Sequence, residues 1–186
     1  MRKELPIGPI VMPLPVVLIA TYNEDETVNV MNAAWGVPYD FKQIFLNLSL
    51  DHKTVKNILR TKAFSIAYAD VNHIAEADFV GLVSGNKVKN KLDACGLHAE
   101  KSEVVNAPVL IDFGLTLECK LNNDNVENGV IGDILRVSVD EKYIDENGKV
   151  DVAKLGIIAY DSINHGYYVI KDKVGQAFSD GRKFIK

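Results

Sequence analysis

The chain has 186 residues, 47% of them apolar and 25% charged, with a formal net charge of −4 at neutral pH. That length suits one core of ordinary domain size, and the acidic balance argues against nucleic-acid binding, which draws on clustered basic residues. A mean hydropathy of +0.01, with no apolar run near the roughly 18–20 residues that a bilayer requires, sets aside both a membrane-spanning and a disordered chain.

The opening MRKELPIGPIVMPLPVVLIATY pairs basic residues with an apolar run, as a secretion signal does, yet Glu4 follows the basic pair and prolines interrupt the run. No small-residue cleavage pattern follows Tyr22, so the segment is expected in the mature chain. Pro15 to Tyr22 is rich in β-branched residues and predicts a well-buried strand. Asn23 to Glu26 reads as a turn. Thr27 to Ala34 fits two descriptions, because TVNV alternates like a strand while MNAAW could open a helical turn, and Pro38 ends either. Ile44 to Leu50 alternates, with Leu46, Leu48 and Leu50 on one face and Asn47 and Ser49 on the other. Asp51 suits the N-cap of a helix whose first turn holds His52, Lys53 and Thr54, with Val55, Ile58 and Leu59 at apolar helical spacing.

Phe64 to Ala69 predicts another strand, and from Asn72 to Gly96 the pattern turns helical, with Val88, Leu92 and Cys95 sharing a face. Lys87, Lys89 and Lys91 follow the turn Ser84-Gly85, and Lys91, next to Leu92, is the one expected to point inward. In Leu115 to Leu121 the residues Leu115, Leu117, Cys119 and Leu121 are expected inside, and Thr116, Glu118 and Lys120 outside. Val130 to Val139 predicts a long strand with Gly132 as its bulge, and Asn147-Gly148 carries a hairpin signal. Ile157 to Tyr160 and Tyr167 to Ile170 complete the strands. At least six short strands with two inserted helices favour an antiparallel barrel, in one domain over 1–186, above a βαβ sheet.

Two apolar strands bracket the polar and aromatic run Asn29, Asn32 and Trp35, and a helix start bearing Lys53 and Thr54 follows at once. A helix N-terminus attracts anions through unpaired N–H groups. Pro13 to Asn57 therefore makes a cradle for a planar ring carrying a phosphate, although such a first turn is also met as plain solvated surface. The three lysines likewise suit a solvated basic face. No GxGxxG, GxxxxGK[ST], HExxH or GxSxG occurs, so those sites are not indicated. The histidines His52, His73, His98 and His165 lack ligand spacing, and no catalytic triad or metal site can be built. Cys95 and Cys119 show no CxxC spacing, so neither a disulfide framework nor zinc is expected, and the cytoplasm is the default.

The succession PVVLIATYN, NVMNAAW, IFLNLSLDHKTVKNI, then FVGLVSGNKVKNK, APVLIDFGLTLECKL, GVIGDILRVSVDEKYIDENGKVD and LGIIAYDSINHGYYVI resembles the flavin reductase-like family, in particular its flavoredoxin-type members, over nearly the whole chain. The resemblance implies a mainly β fold with inserted helices, the antiparallel Greek-key FMN-binding split barrel, dimerising around noncovalent FMN. It implies that Asn29 and Trp35 contact the flavin, that the strand bearing Asn47 and Ser49 lines the ribityl and phosphate region, and that Thr54 and Lys91 match phosphate-side positions. Lys53 is carried over by its place in the same turn, and Tyr160 as a residue beside the ring. Where many members carry a histidine ahead of GVIGDI, this chain has Glu127 and Asn128. The implied function is an oxidoreductase moving electrons from NAD(P)H or a protein donor through FMN to an acceptor, as a homodimer with or without a redox protein partner. The alternatives are a flavin-binding electron carrier without NAD(P)H activity and a split barrel that has lost its flavin.

Overall fold

The computed structural model of the chain describes residues 1–185. Its centre is β2 (Val17–Tyr22) beside β6 (Ala63–Tyr68). β2 is apolar without alternation because both of its faces are covered: Val17 and Ile19 enter one core with Ile44, Leu46, Phe64 and Leu117, while Leu18 and Ala20 enter another with Val30, Val80 and Ile158. The segment left open between strand and helix is β3 (Val28–Ala33), paired antiparallel with β2.

Adding β4 (Gly36–Asp40), β5 (Gln43–Leu46), β9 (Leu115–Leu121) and β10 (Val130–Val139) gives a seven-stranded antiparallel sheet in the order β3-β2-β6-β9-β10-β5-β4. The edge strands β3 and β4 are joined only by Ala34 and Trp35, and consecutive Cα atoms lie about 3.8 Å apart, so the two edges must meet. Gly36 seals the approach, since a Cβ there would sit 3.1 Å from Leu46 Cδ2 and 3.9 Å from Val17 Cγ2. The sheet is a split barrel. Helix α1 (Lys53–Thr61) sends Val55 and Ile58 into its core.

The outer face of β2 and β6 carries a second layer. It consists of α2 (Ile74–Leu82), α3 (Lys91–Cys95), the hairpin of β7 (Ala99–Lys101) with β8 (Pro108–Leu110), and a small sheet in which β1 (Leu14–Pro15) and β12 (Gly166–Val169) flank β11 (Ile158–Asp161). A one-turn helix, α4 (Val152–Leu155), leads into β11.

Several expectations are corrected. The strand expected over Ile44 to Leu50 ends at Leu46, where its pairing with Gly36 and Val130 runs out, although Leu48 stays buried and Asn47 and Ser49 exposed. The N-cap of α1 is His52 and not Asp51, whose pKa the neighbouring Ser49 side chain lowers. The helical stretch from Asn72 divides into α2 and α3 around a turn at Ser84 to Val88. Thr116 and Glu118 are buried, not outward, because Glu118 accepts hydrogen bonds from Arg136 Nη2 at 3.0 Å, Arg136 Nε and Ser102 Oγ. The bulge in β10 falls between Ile134 and Arg136. Gly132 instead makes room for Phe64, whose Cζ would lie 2.4 Å from an added Cβ.

Candidate functional site

The first turn of α1 opens into a cavity of about 170 Å³ lined by His52, Lys53 and Thr54, by Asn29 on β3, by the link from Val80 to Gly85, and by Lys91. First-turn amides have no partners within a helix, and no side chain caps α1. His52 Nδ1 is buried there without a hydrogen-bond partner. Buried polar atoms are rarely left so. The cavity therefore presents an uncapped positive dipole end and two lysines, with an orphaned imidazole nitrogen buried in its wall.

Beneath it lies a polar scaffold. Asn29 Nδ2 donates to Thr54 Oγ1 at 2.9 Å and lies 3.4 Å from Thr21 Oγ1, while Asn57 Nδ2 donates to Thr21 Oγ1 at 3.1 Å and to Asn23 Oδ1 at 2.9 Å. Since the Thr54 oxygen accepts from Asn29, its own O–H is left to donate. Gly85 closes over this scaffold, and a Cβ there would stand 2.2 Å from Asn29 Oδ1. Only glycine fits.

Lys91 enters from the first residue of α3 with 3% of its surface exposed. Its Nζ donates to Val80 O at 2.9 Å and Val83 O at 3.0 Å, at the C-terminal end of α2. An ammonium has three donors, so one remains. Burial holds its pKa down to about 8, against a smaller opposing pull from Cys95. Lys53 Nζ stands 3.9 Å from Glu24 and also borders an outer cavity that Lys87 and Lys89 share.

The first cavity adjoins a second of about 320 Å³, with Asn32, Gly81 and Leu82 common to both. This one is lined by Ala33, Ala34, Asp78, Tyr160, His165 and Tyr167. Tyr160 is hydrogen-bonded through its hydroxyl to His165 Nδ1, and Tyr167 donates to Asp78 Oδ1 at 2.9 Å. Cationic at one end and aromatic at the other, the pair can hold an anionic group joined to a planar one.

Of the residues singled out in the sequence, Asn29, Lys53, Thr54 and Lys91 surround the first cavity, and Tyr160 lines the second. Trp35, Asn47 and Ser49 line neither and are exposed, Trp35 between the edge strands and the other two after β5. His52, Asp78, His165 and Tyr167 line the cavities without having been singled out. His52 had a signal in its place before the helix. The other three meet only through the packing of α2 against the small sheet.

Several known proteins share this architecture. The chain superimposes on the flavoredoxin of Desulfovibrio vulgaris (Miyazaki F) with a TM-score of 0.92 and 29% identity, covering 97% of this chain and 100% of that one. A flavoredoxin from Methanosarcina acetivorans matches with a TM-score of 0.87 and 21% identity over 100% of both chains. An FMN-binding domain of a flavin reductases-like enzyme from Shewanella baltica OS155 matches with a TM-score of 0.73 and 24% identity, over 87% of this chain and 88% of that one. The last two are likenesses of fold. The family model of the flavin reductase like domain matches residues 11–154, and the chain belongs to that family.

Proposed function

We propose that this chain is an FMN-binding flavoprotein of the cytoplasm that moves electrons from NAD(P)H or a protein donor to an acceptor. The observation that carries the reading is the convergence of His52, Lys53, Thr54, Lys91 and the uncapped start of α1 on one cavity that continues into an aromatic one. The phosphate is assigned to the smaller cavity and the ring to the larger. Thr54 donates its hydroxyl and Lys91 its remaining N–H to the phosphate, with α1 adding its dipole. Tyr160 flanks the ring. Bound there, FMN supplies the two-electron redox chemistry, and the protein's part is to bind and orient it. Purified protein that stays colourless and retains no added FMN would sink this reading.

A second reading, an electron carrier that serves a redox protein and has no NAD(P)H turnover of its own, is favoured by the likeness to two flavoredoxins. Anaerobic stopped-flow mixing of the FMN-loaded protein with NADH or NADPH separates the two, because only the enzyme loses its flavin absorbance to a pyridine nucleotide alone. In either case we infer a homodimer. Val37 and Tyr39 stand exposed on edge strand β4 and Phe41 in the turn that follows it, and a second copy would cover them. Native mass spectrometry reads both the subunit count and the FMN content.

A further inference from the structure

The two cavities differ in charge as well as size. The smaller is lined by two lysines and a histidine, whereas among the described residues Asp78 is the one Asp, Glu, Lys or Arg lining the larger. Asp78 sits on α2 and is held in place from the other side of the cavity by Tyr167 of β12, whose hydroxyl donates to Oδ1 at 2.9 Å. Among the described residues no lysine or arginine lies on that lining to balance it. The other titratable groups there are Tyr160 and His165, hydrogen-bonded to each other, and Tyr167 itself. Asp161 stands beside His165, but its oxygens are taken up by Ile163 N at 2.7 Å and Asn164 Nδ2 at 3.0 Å.

We propose that Asp78 is a potential-setting residue, placed so that its carboxylate disfavours the reduced state of the FMN bound beside it. The proposal rests on the cofactor assignment above. Two-electron reduction near neutral pH adds two electrons from the reductant and one proton from water, so the bound cofactor gains one negative charge. A carboxylate in a partly desolvated cavity repels that charge more strongly than water would allow. Weaker binding of the reduced state relative to the oxidised one lowers the midpoint potential by linkage. Tyr167 reports the same field: burial first, and the Asp78 carboxylate second, push its pKa up to about 12 and keep it the protonated donor. The lysines of the smaller cavity retain the phosphate in both states, so retention and potential are set at opposite ends.

The test is a spectroelectrochemical titration with dithionite as reductant, on FMN-loaded protein at fixed pH and ionic strength. The affinity for oxidised FMN is measured separately by fluorescence. Asp78→Asn is expected to raise the ratio of reduced-state to oxidised-state affinity about tenfold, which for a two-electron couple is about 30 mV upward. Asp78→Glu, which keeps the charge, is expected to keep the wild-type potential. Tyr167→Phe, which removes the tether and not the charge, is expected to produce no rise. Asp78→Ser repeats the neutral substitution should Asn misfold. A potential unchanged in both neutral variants, or an equal rise in Tyr167→Phe, overturns the proposal. Wild-type protein that takes up no FMN, seen before any reductant is added, overturns the cofactor assignment as well and is distinguishable for that reason.

Discussion

The smaller cavity is built on a buried floor and the larger one on a half-open wall. Under the first, Thr21, Asn29, Thr54 and Asn57 are all buried and bonded to one another or to Asn23, so each donor arrives at a fixed angle. Around the second, Asp78, Tyr160 and Tyr167 are half-buried and His165 is exposed, held in pairs by single hydrogen bonds. Fixed donors suit a group that must be held permanently, and an open aromatic wall suits one that donors and acceptors must approach. Affinity should therefore depend mainly on the smaller cavity, and reactivity on the larger.

The largest effect on that division is expected from Lys91→Ala. Loss of a charge-assisted phosphate hydrogen bond is worth about 1.5–3 kcal/mol, so FMN affinity, followed by fluorescence titration, should fall by roughly 10- to 150-fold at 1.4 kcal/mol per decade. The same change strips Val80 O and Val83 O of their partner and should lower the thermal midpoint of the flavin-free protein. Unchanged affinity would mean that the phosphate lies elsewhere.

The same lysine should make pH act in opposite directions on binding and folding. Burial lowers its pKa to about 8 from 10.5, while a phosphate monoester has its second pKa near 6 and stays doubly charged above neutrality. FMN affinity should thus weaken as pH rises through about 8, approaching tenfold by pH 9, where most of the ammonium is gone. Stability of the flavin-free protein should do the reverse. The unfolded lysine keeps its proton up to about 10.5 and the folded one releases it near 8, so the unfolded state binds more protons across that window and stability rises with pH. Denaturant melts at pH 7 and 9 check the sign, and Lys91→Ala should abolish both trends.

Much of the barrel is legible in the sequence, and the misses have physical causes. The run VVLIA announces a strand covered on both faces, and Lys91 betrays its inward turn by standing next to Leu92. Alternation in β9 marks Glu118 as outward because period 2 says which face a residue occupies and not what covers that face. Here Ser102, from the loop after β7, and Arg136 of β10 cover it. Gly132 has the composition of a bulge, but its requirement is the Phe64 ring from β6, a distant partner that local patterning does not carry. The cationic cavity is largely readable because the N-cap and first two residues of α1, His52, Lys53 and Thr54, line it in a row. The aromatic one is not, since Asn32, Asp78 and Tyr167 come from three separate elements.

Thr54→Ala should have a smaller effect than Lys91→Ala. It removes one O–H donor to the charged phosphate without removing a charge, so the low end of the charge-assisted range applies, about 1.5 kcal/mol or roughly tenfold in FMN affinity. Asn29 Nδ2 would lose its 2.9 Å acceptor and retain only the 3.4 Å approach to Thr21. A loss as large as that of Lys91→Ala would mean that the scaffold below, and not the donor itself, had been broken.

Tyr160→Phe should disturb retention least of all. Its hydroxyl is engaged by His165 Nδ1 at the half-open wall, where water can replace the lost partner, so a cost of about 0.5 kcal/mol, near twofold in FMN affinity, is the scale expected of a weak neutral hydrogen bond. The effect should surface instead in turnover. A phenol and an imidazole joined on the ring side form the pair able to hold or pass a proton there, and removing the hydroxyl should slow electron delivery to an acceptor by more than the affinity changes. Single-turnover oxidation of the reduced, FMN-saturated variant measures that rate independently of binding. Should affinity drop by an order of magnitude while the single-turnover rate holds, the aromatic cavity would be gripping the cofactor and not serving its chemistry, and the contrast between the two cavities would reverse.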